Sequence, residues 1–169
     1  ITTVLFPSLS RLAVRADTAG FRDTIGLGLR QIAFLLIPAG VMSAVLAEPI
    51  TRIVYQRGQF EPSQTPVVAG ALAAFSAGLL FNGVMLLLNR GFFSLQSNWI
   101  PTAVALGNLG LNALFDAVFY RFGTWGIPFA TSLVNIAGSA ILLVLMRRRL
   151  GSLGMRTILH SVVRILVAS

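Results

Sequence analysis

Cysteine and lysine are both absent from this chain of 169 residues, and it holds only five acids and one histidine. Without cysteine there is neither a disulfide framework nor a thiolate metal site, and redox chemistry gives no clue to compartment. His160 stands alone, and the acids are scattered, so the clustered ligands of a metal centre are missing. The same poverty argues against an enzyme, which needs a positioned nucleophile, an acid–base pair or a metal. Gly26-Leu27-Gly28 lacks the full spacing and the preceding strand of a phosphate-cradling loop, and nothing resembles a signal peptide. No cofactor is therefore expected. That all thirteen basic residues are arginine is read as genomic base composition, and no mechanism is drawn from it.

Charge is scarce as well. Charged residues make up 11% of the chain and hydrophobic ones 56%, with a mean hydropathy of +0.83, which leaves a water-soluble domain too little polar material to cover its surface. Four stretches hold no charge at all: Gln31–Ala47, Pro62–Asn89, Gly91–Phe115 and Phe122–Met146. A helix crossing a hydrocarbon layer roughly 30 Å thick needs about 20 predominantly apolar residues, because lipid offers no partner for unpaired backbone groups. An all-α, polytopic bundle of transmembrane helices follows, with membrane lipid as its solvent.

The net charge of +8 raises the question of nucleic acid, but a nucleic-acid protein gathers its basic residues on one face, and here they fall between spans. No nucleic-acid partner is expected. Arg11, Arg15, Arg22, Arg30, Arg90, Arg147, Arg148, Arg149, Arg156 and Arg164 lie on one side of the predicted spans; Arg52, Arg57 and Arg121 lie on the other, offset by Glu48, Glu61 and Asp116. Since arginine-rich short loops are retained in the cytoplasm, the side with ten is expected to face inward. The triplet Arg147–Arg149 anchors that orientation and is placed to meet anionic headgroups.

The expected organisation is a single piece of a larger protein. Residues 1–11 read as the end of a span and 12–30 as a cytoplasmic loop, in which Asp17 is placed to cap a helix over Asp17–Leu29 that lies along the cytoplasmic interface, with Phe21, Ile25 and Leu29 at a spacing of four. The transmembrane helices fall at 31–55, 66–89, 101–120 and 126–146; a cytoplasmic loop at 147–157 and the start of a further span at 158–169 follow. This gives four complete spans and two truncated ones. Pro38 is expected to bend the first, a feature of transporters and of inert membrane helices alike. Thr65-Pro66 reads as an N-cap followed by proline at the first helical position. Gly70, Ala74 and Gly78 recur every fourth residue and offer a small-residue face for close helix approach.

Polar side chains within spans face a cavity or another helix, not lipid. Asn108, Asn112 and Asp116 stand at i, i+4 and i+8, one stripe ending in a carboxylate near the outer face. Asn82 and Asn89 share a side of the second span, with Arg90 just beyond, and Thr131, Asn135 and Ser139 share one of the fourth. Asn82, Asn108, Asn112 and Asn135 are candidate wall residues of a hydrophilic cavity, with Arg90 and Asp116 at its mouths. Interhelical hydrogen bonding and an exposed interfacial carboxylate account for the same pattern, so both readings stand.

Four pieces in register add a resemblance: Leu5-Phe6-Pro7-Ser8-Leu9-Ser10-Arg11, Gly28-Leu29-Arg30-Gln31, Tyr55-Gln56-Arg57-Gly58-Gln59-Phe60, and Arg90-Gly91-Phe92-Phe93-Ser94-Leu95-Gln96. In order and spacing they resemble the MurJ (MviN) family of lipid II flippases. The resemblance implies the end of the eighth helix, the ninth to twelfth, and the beginning of the thirteenth of a fourteen-helix inner-membrane transporter of the multidrug/oligosaccharidyl-lipid/polysaccharide exporter superfamily. It implies alternating access, a lipid-linked peptidoglycan precursor as substrate, and cell-wall synthesis proteins as partners. Ser97-Asn98-Trp99-Ile100-Pro101 departs from the usual pattern, which carries an aspartate and a threonine after the glutamine and a threonine before the proline. The family's substrate-binding arginines lie elsewhere in the protein, and none carries over to a position here. Another exporter of the same superfamily, or a non-transporting membrane scaffold, would show similar helices.

Overall fold

A computed structural model describes residues 2–55, 64–119, 121 and 126–151. Among them are six helices and no strand: α1 (Thr2–Val14), α2 (Thr18–Val45), α3 (Ala47–Tyr55), α4 (Thr65–Ser94), α5 (Trp99–Phe119) and α6 (Gly126–Leu150). α2, α4, α5 and α6 are each long and apolar enough to cross a membrane. The expected all-α polytopic bundle is therefore present. The expectations placed on Arg57, Glu61, His160 and the run 158–169 fall outside the described residues.

α2, α4, α6 and α5 stand side by side in that order, α5 meeting α4 only marginally; α1 packs on α2 and α4, and α3 on α4. Glycines set the separations. A Cβ at Gly40 would lie 3.2 Å from the Ser76 carbonyl, one at Gly83 would strike Leu36, and one at Gly91 would lie 3.1 Å from Ile25 Cδ1. These pairings run α2 and α4 antiparallel, with backbones close because side chains are missing where they cross, as packing in lipid favours.

Large buried side chains gather at one end. Leu9, Phe21, Ile25, Leu29, Ile32, Leu87, Leu88, Phe92, Leu142 and Met146 form one cluster drawn from α1, α2, α4 and α6. This end carries Arg11, Arg22, Arg90 and Arg147–Arg149 close by in sequence. In hydrocarbon the gain here is dispersion between interlocked side chains, because lipid tails are as apolar as leucine.

Several helix boundaries differ from expectation, for physical reasons. Asp17 does cap α2, its Oδ1 accepting the Gly20 N–H at 2.9 Å. But the helix then runs without interruption through Gln31 and past Pro38, so the region 12–30 holds the end of α1 and the first half of α2. Pro38 lies inside α2, and the interruption of the helix comes further on, at Leu46, whose φ of −91° and ψ of 11° leave the helical well. Its cause is Pro49, which has no N–H to give the Val45 carbonyl. Leu46 N–H still bonds to Met42 O at 2.8 Å and Ile50 N–H to Leu46 O at 2.9 Å, so α3 continues as a separate segment.

Thr65 is also not a cap. It is the first residue of α4, Gln64 takes the cap position without a side-chain hydrogen bond, and Pro66 lies in the first turn, where its missing N–H has no helical partner to lose. The Thr65 hydroxyl is sealed from solvent with no hydrogen-bond partner among the described residues, a state that costs about 1–3 kcal/mol. α4 continues to Ser94 and α6 to Leu150, while α5 begins at Trp99 and ends at Phe119.

Candidate functional site

α5 forms the edge of the row, and its polar stripe begins on the face it turns to α6. Asn108 lies over Gly138: a Cβ at that glycine would run into the Asn108 carboxamide, 2.9 Å from Oδ1 and 3.0 Å from Cγ. The same carboxamide donates through Nδ2 to Met85 Sδ on α4 at 3.4 Å. A thioether is a weak acceptor, so the amide acts mainly as a wedge that fits where Gly138 has left room. Asn108 thus joins α4, α5 and α6.

Asn112 and Asp116 follow one and two turns on, both half-buried. One oxygen of Asp116, Oδ1, is sealed from solvent and accepts no hydrogen bond among the described residues. Asn135 is half-buried on α6, three residues before Gly138. The two hydroxyls expected to share its face are bonded within their own helix: Thr131 donates to Ile127 O at 3.2 Å and Ser139 to Ile136 O at 2.9 Å.

On α4, Asn82 is exposed and Asn89 half-buried, with Met85 between them, so this flank turns toward α5. Asn89 Oδ1 is sealed and has no partner among the described residues. Arg90 is half-buried at the clustered end of α4, beside Gly91 and Phe92, and forms no ion pair among the described residues. The candidates thus divide. Asn108 meets the α4 flank that carries Asn82 and Asn89, and Asn135 sits one turn from the Asn108–Gly138 contact, whereas Arg90 and Asp116 occupy opposite ends of the bundle. Among the described residues no three His, Asp or Glu side chains come together as a metal site would need.

One interhelical contact was not foreseen from sequence. Ser132 is buried, and its hydroxyl bonds across to Ala74 O on α4 at 2.8 Å while also reaching Pro128 O at 3.1 Å. A Cβ at Gly78 would sit 2.6 Å from Ser132 Oγ and 2.8 Å from its Cα. The small-residue face of α4 is therefore the α6 seam at Ala74 and Gly78, while Gly70 faces open space. The matching signal on α6 is Gly126, Ala130, Val134 and Gly138 at a step of four, all buried. On the α2 flank of α4 lies a recess of about 340 Å³ lined by Leu36, Ile37, Val41, Ala77 and Phe81 among others, with none of the candidate polar residues on it.

All 169 residues, 1–169, match the model of a family described as lipid II flippase MurJ. The chain is 37% identical over 143 residues to a probable lipid II flippase MurJ of Vibrio cholerae, covering 84% of this chain and 27% of that protein. It is 35% identical over 156 residues to a probable lipid II flippase MurJ of Synechocystis, covering 92% of this chain and 29% of that one. Among solved structures, it superposes on lipid II flippase MurJ in an inward closed conformation with a TM-score of 0.84, at 25% identity, over 99% of this chain and 34% of that chain. The chain spans between a quarter and about a third of the length of these relatives.

Proposed function

Since this chain belongs to the lipid II flippase MurJ family, we propose that it forms part of a transporter that moves the undecaprenyl-pyrophosphate-linked peptidoglycan precursor across the bacterial inner membrane by alternating access. The match to the family model along the whole chain carries the reading. The physical task fits: a pyrophosphate and a sugar-peptide headgroup cannot cross hydrocarbon unaided, because burying unpaired charge and polar groups is prohibitive. A flippase relocates its substrate without making or breaking a covalent bond in it, in keeping with the thin inventory of reactive groups.

In this reading the arginine-rich end faces the cytoplasm, where Arg147–Arg149 meet anionic headgroups. Asn82, Asn108, Asn112 and Asn135 contribute to the wall of a hydrophilic path along the α4–α5–α6 junction, with Arg90 at its inner mouth and Asp116 at its outer one. Their positions support it: polar groups stand on adjoining flanks of three spans, and Asn89 Oδ1 and Asp116 Oδ1 are sealed acceptors that meet no donor among the described residues. Lipid II and bulk membrane lipid are the partners the reading requires, and cell-wall synthesis proteins are its natural neighbours.

The test uses the full-length protein that carries this segment, expressed in cells depleted of their own lipid II flippase. Externally accessible lipid II, measured by cleavage with an added lipid II-degrading enzyme, is expected to return to the level of undepleted cells. No rise above the depleted level would remove the flippase reading and leave a scaffold or an exporter of another lipid-linked polymer.

A further inference from the structure

We propose that α3 is a hinged flap at the end of the bundle away from the arginine cluster. It turns about Leu46, and its seat on the first turns of α4 is released and remade as the transporter changes state. The inference rests on the alternating-access reading, but the seat itself is observable without transport.

The hinge has a chemical cause. Pro49 removes one hydrogen bond across the α2–α3 junction, and Leu46 departs from helical geometry there, while Leu46 N–H to Met42 O and Ile50 N–H to Leu46 O link the two segments. The seat is shallow. α3 packs on α4; continuing past Leu46, the antiparallel register set by Gly40–Ser76 and Gly91–Ile25 brings Thr51 opposite Thr65 and Ala47 opposite Ala69, and all four residues are buried. These are small groups. Of the large side chains of α3, Ile53 and Val54 are mostly exposed and Ile50 is partly so.

Seating also leaves a polar group unsatisfied. Thr51 donates its hydroxyl proton to Ala47 O within α3, at 2.7 Å, and the Thr65 hydroxyl is sealed with no partner among the described residues. Ser76, further along α4, shows the contrast: its hydroxyl is satisfied by Leu72 O at 2.8 Å. Releasing α3 would hydrate the Thr65 hydroxyl, so the seated state is penalised at one atom and the released state is not. A segment with a flexible joint, a shallow contact and a penalty for closure has two discrete positions, the requirement for a hinge element.

The experiment uses full-length protein in vesicles, with every other cysteine removed. The T65C variant, labelled by a membrane-impermeant maleimide, is expected to react, and adding P49A, which restores the missing N–H, is expected to slow that labelling at least threefold. Labelling that P49A leaves unchanged or accelerates overturns the flap. Should T65C misfold, T51C reports the same seat from the α3 side. In T51C/T65C, an oxidised cross-link is expected to slow lipid II translocation at least tenfold, and reduction to restore it; full translocation with the cross-link formed overturns the proposal. If the reduced protein moves no lipid II at all, the transport reading fails, while the P49A effect on labelling still decides the flap.

Discussion

Leu87, Leu88 and Phe92 lie at one end of α4, and Ala69, Ser76 and Gly78 lie toward the other; one helix serves two kinds of contact. At the arginine-rich end, side chains from α1, α2, α4 and α6 interlock and leave the cluster members at 5% exposure or less. Toward the other end the contacts are between backbones, through Gly40, Gly78 and Ser132, and a recess opens between α2 and α4. Water provides no driving force in either place once the bundle is in lipid. What differs is how far each contact can move before it is lost. Interdigitated large side chains lock one arrangement, whereas smooth small-residue faces approach closely and shift at lower cost. A transporter that exposes its substrate path alternately on two sides has use for one fixed end and one adjustable end.

The comparison breaks most sharply at the α4–α6 seam. Gly78→Leu places a side chain where the Ser132 backbone already stands, with Ser132 Cα 2.8 Å from the added Cβ, so the two helices must separate. The expected loss is about 3 kcal/mol or more, visible as loss of monodisperse full-length protein in detergent. At the clustered end, Phe92→Ala removes a ring that is 0% exposed. In lipid only the cavity penalty applies, roughly 24 cal/mol for each Å³, so a void of roughly 100 Å³ costs about 2 kcal/mol. Thermal unfolding of the purified protein measures it.

Smaller effects sharpen the account of the polar seam. Gly138→Ala pushes against the Asn108 carboxamide, and Asn108→Ala removes that obstacle, so the double variant is expected to recover about 1 kcal/mol relative to the sum of the two single changes. A double-mutant cycle by thermal unfolding reads this, and strict additivity would mean that the two residues do not meet. Gly70→Ala, with nothing within 4 Å of the new Cβ, should be neutral or stabilising by about 0.5–1 kcal/mol. Smallest of all is Arg52→Ala: its 2.6 Å ion pair with Glu48 joins side chains that are 61% and 53% exposed, and such a pair contributes about 0.5 kcal/mol at most.

The uncharged stretches between arginines made the spans legible, because the cost of charge in hydrocarbon is large and needs no partner to be known. Partner choice was not legible. Periodicity placed Ala74 and Gly78 on one face of α4, but it could not say that Ser132 would meet them, since a face does not name its neighbour. Nor could it foresee that Asn108 fits over Gly138. The bend expected at Pro38 concerns a residue that α2 runs through, and the interruption at Leu46, three residues before Pro49, was not foreseen. Thr65 was taken for a cap because threonine before proline is a common start, yet α4 begins one residue earlier and leaves that hydroxyl buried.

Hydrogen–deuterium exchange of the full-length protein in lipid nanodiscs tests the division of the bundle most directly, because both halves are compared within α4. Amides of Ala69–Ala74 are expected to exchange at least tenfold faster than those of Leu87–Phe92. Equal protection along the helix, or slower exchange at Ala69–Ala74, would contradict the account of one locked end and one adjustable end.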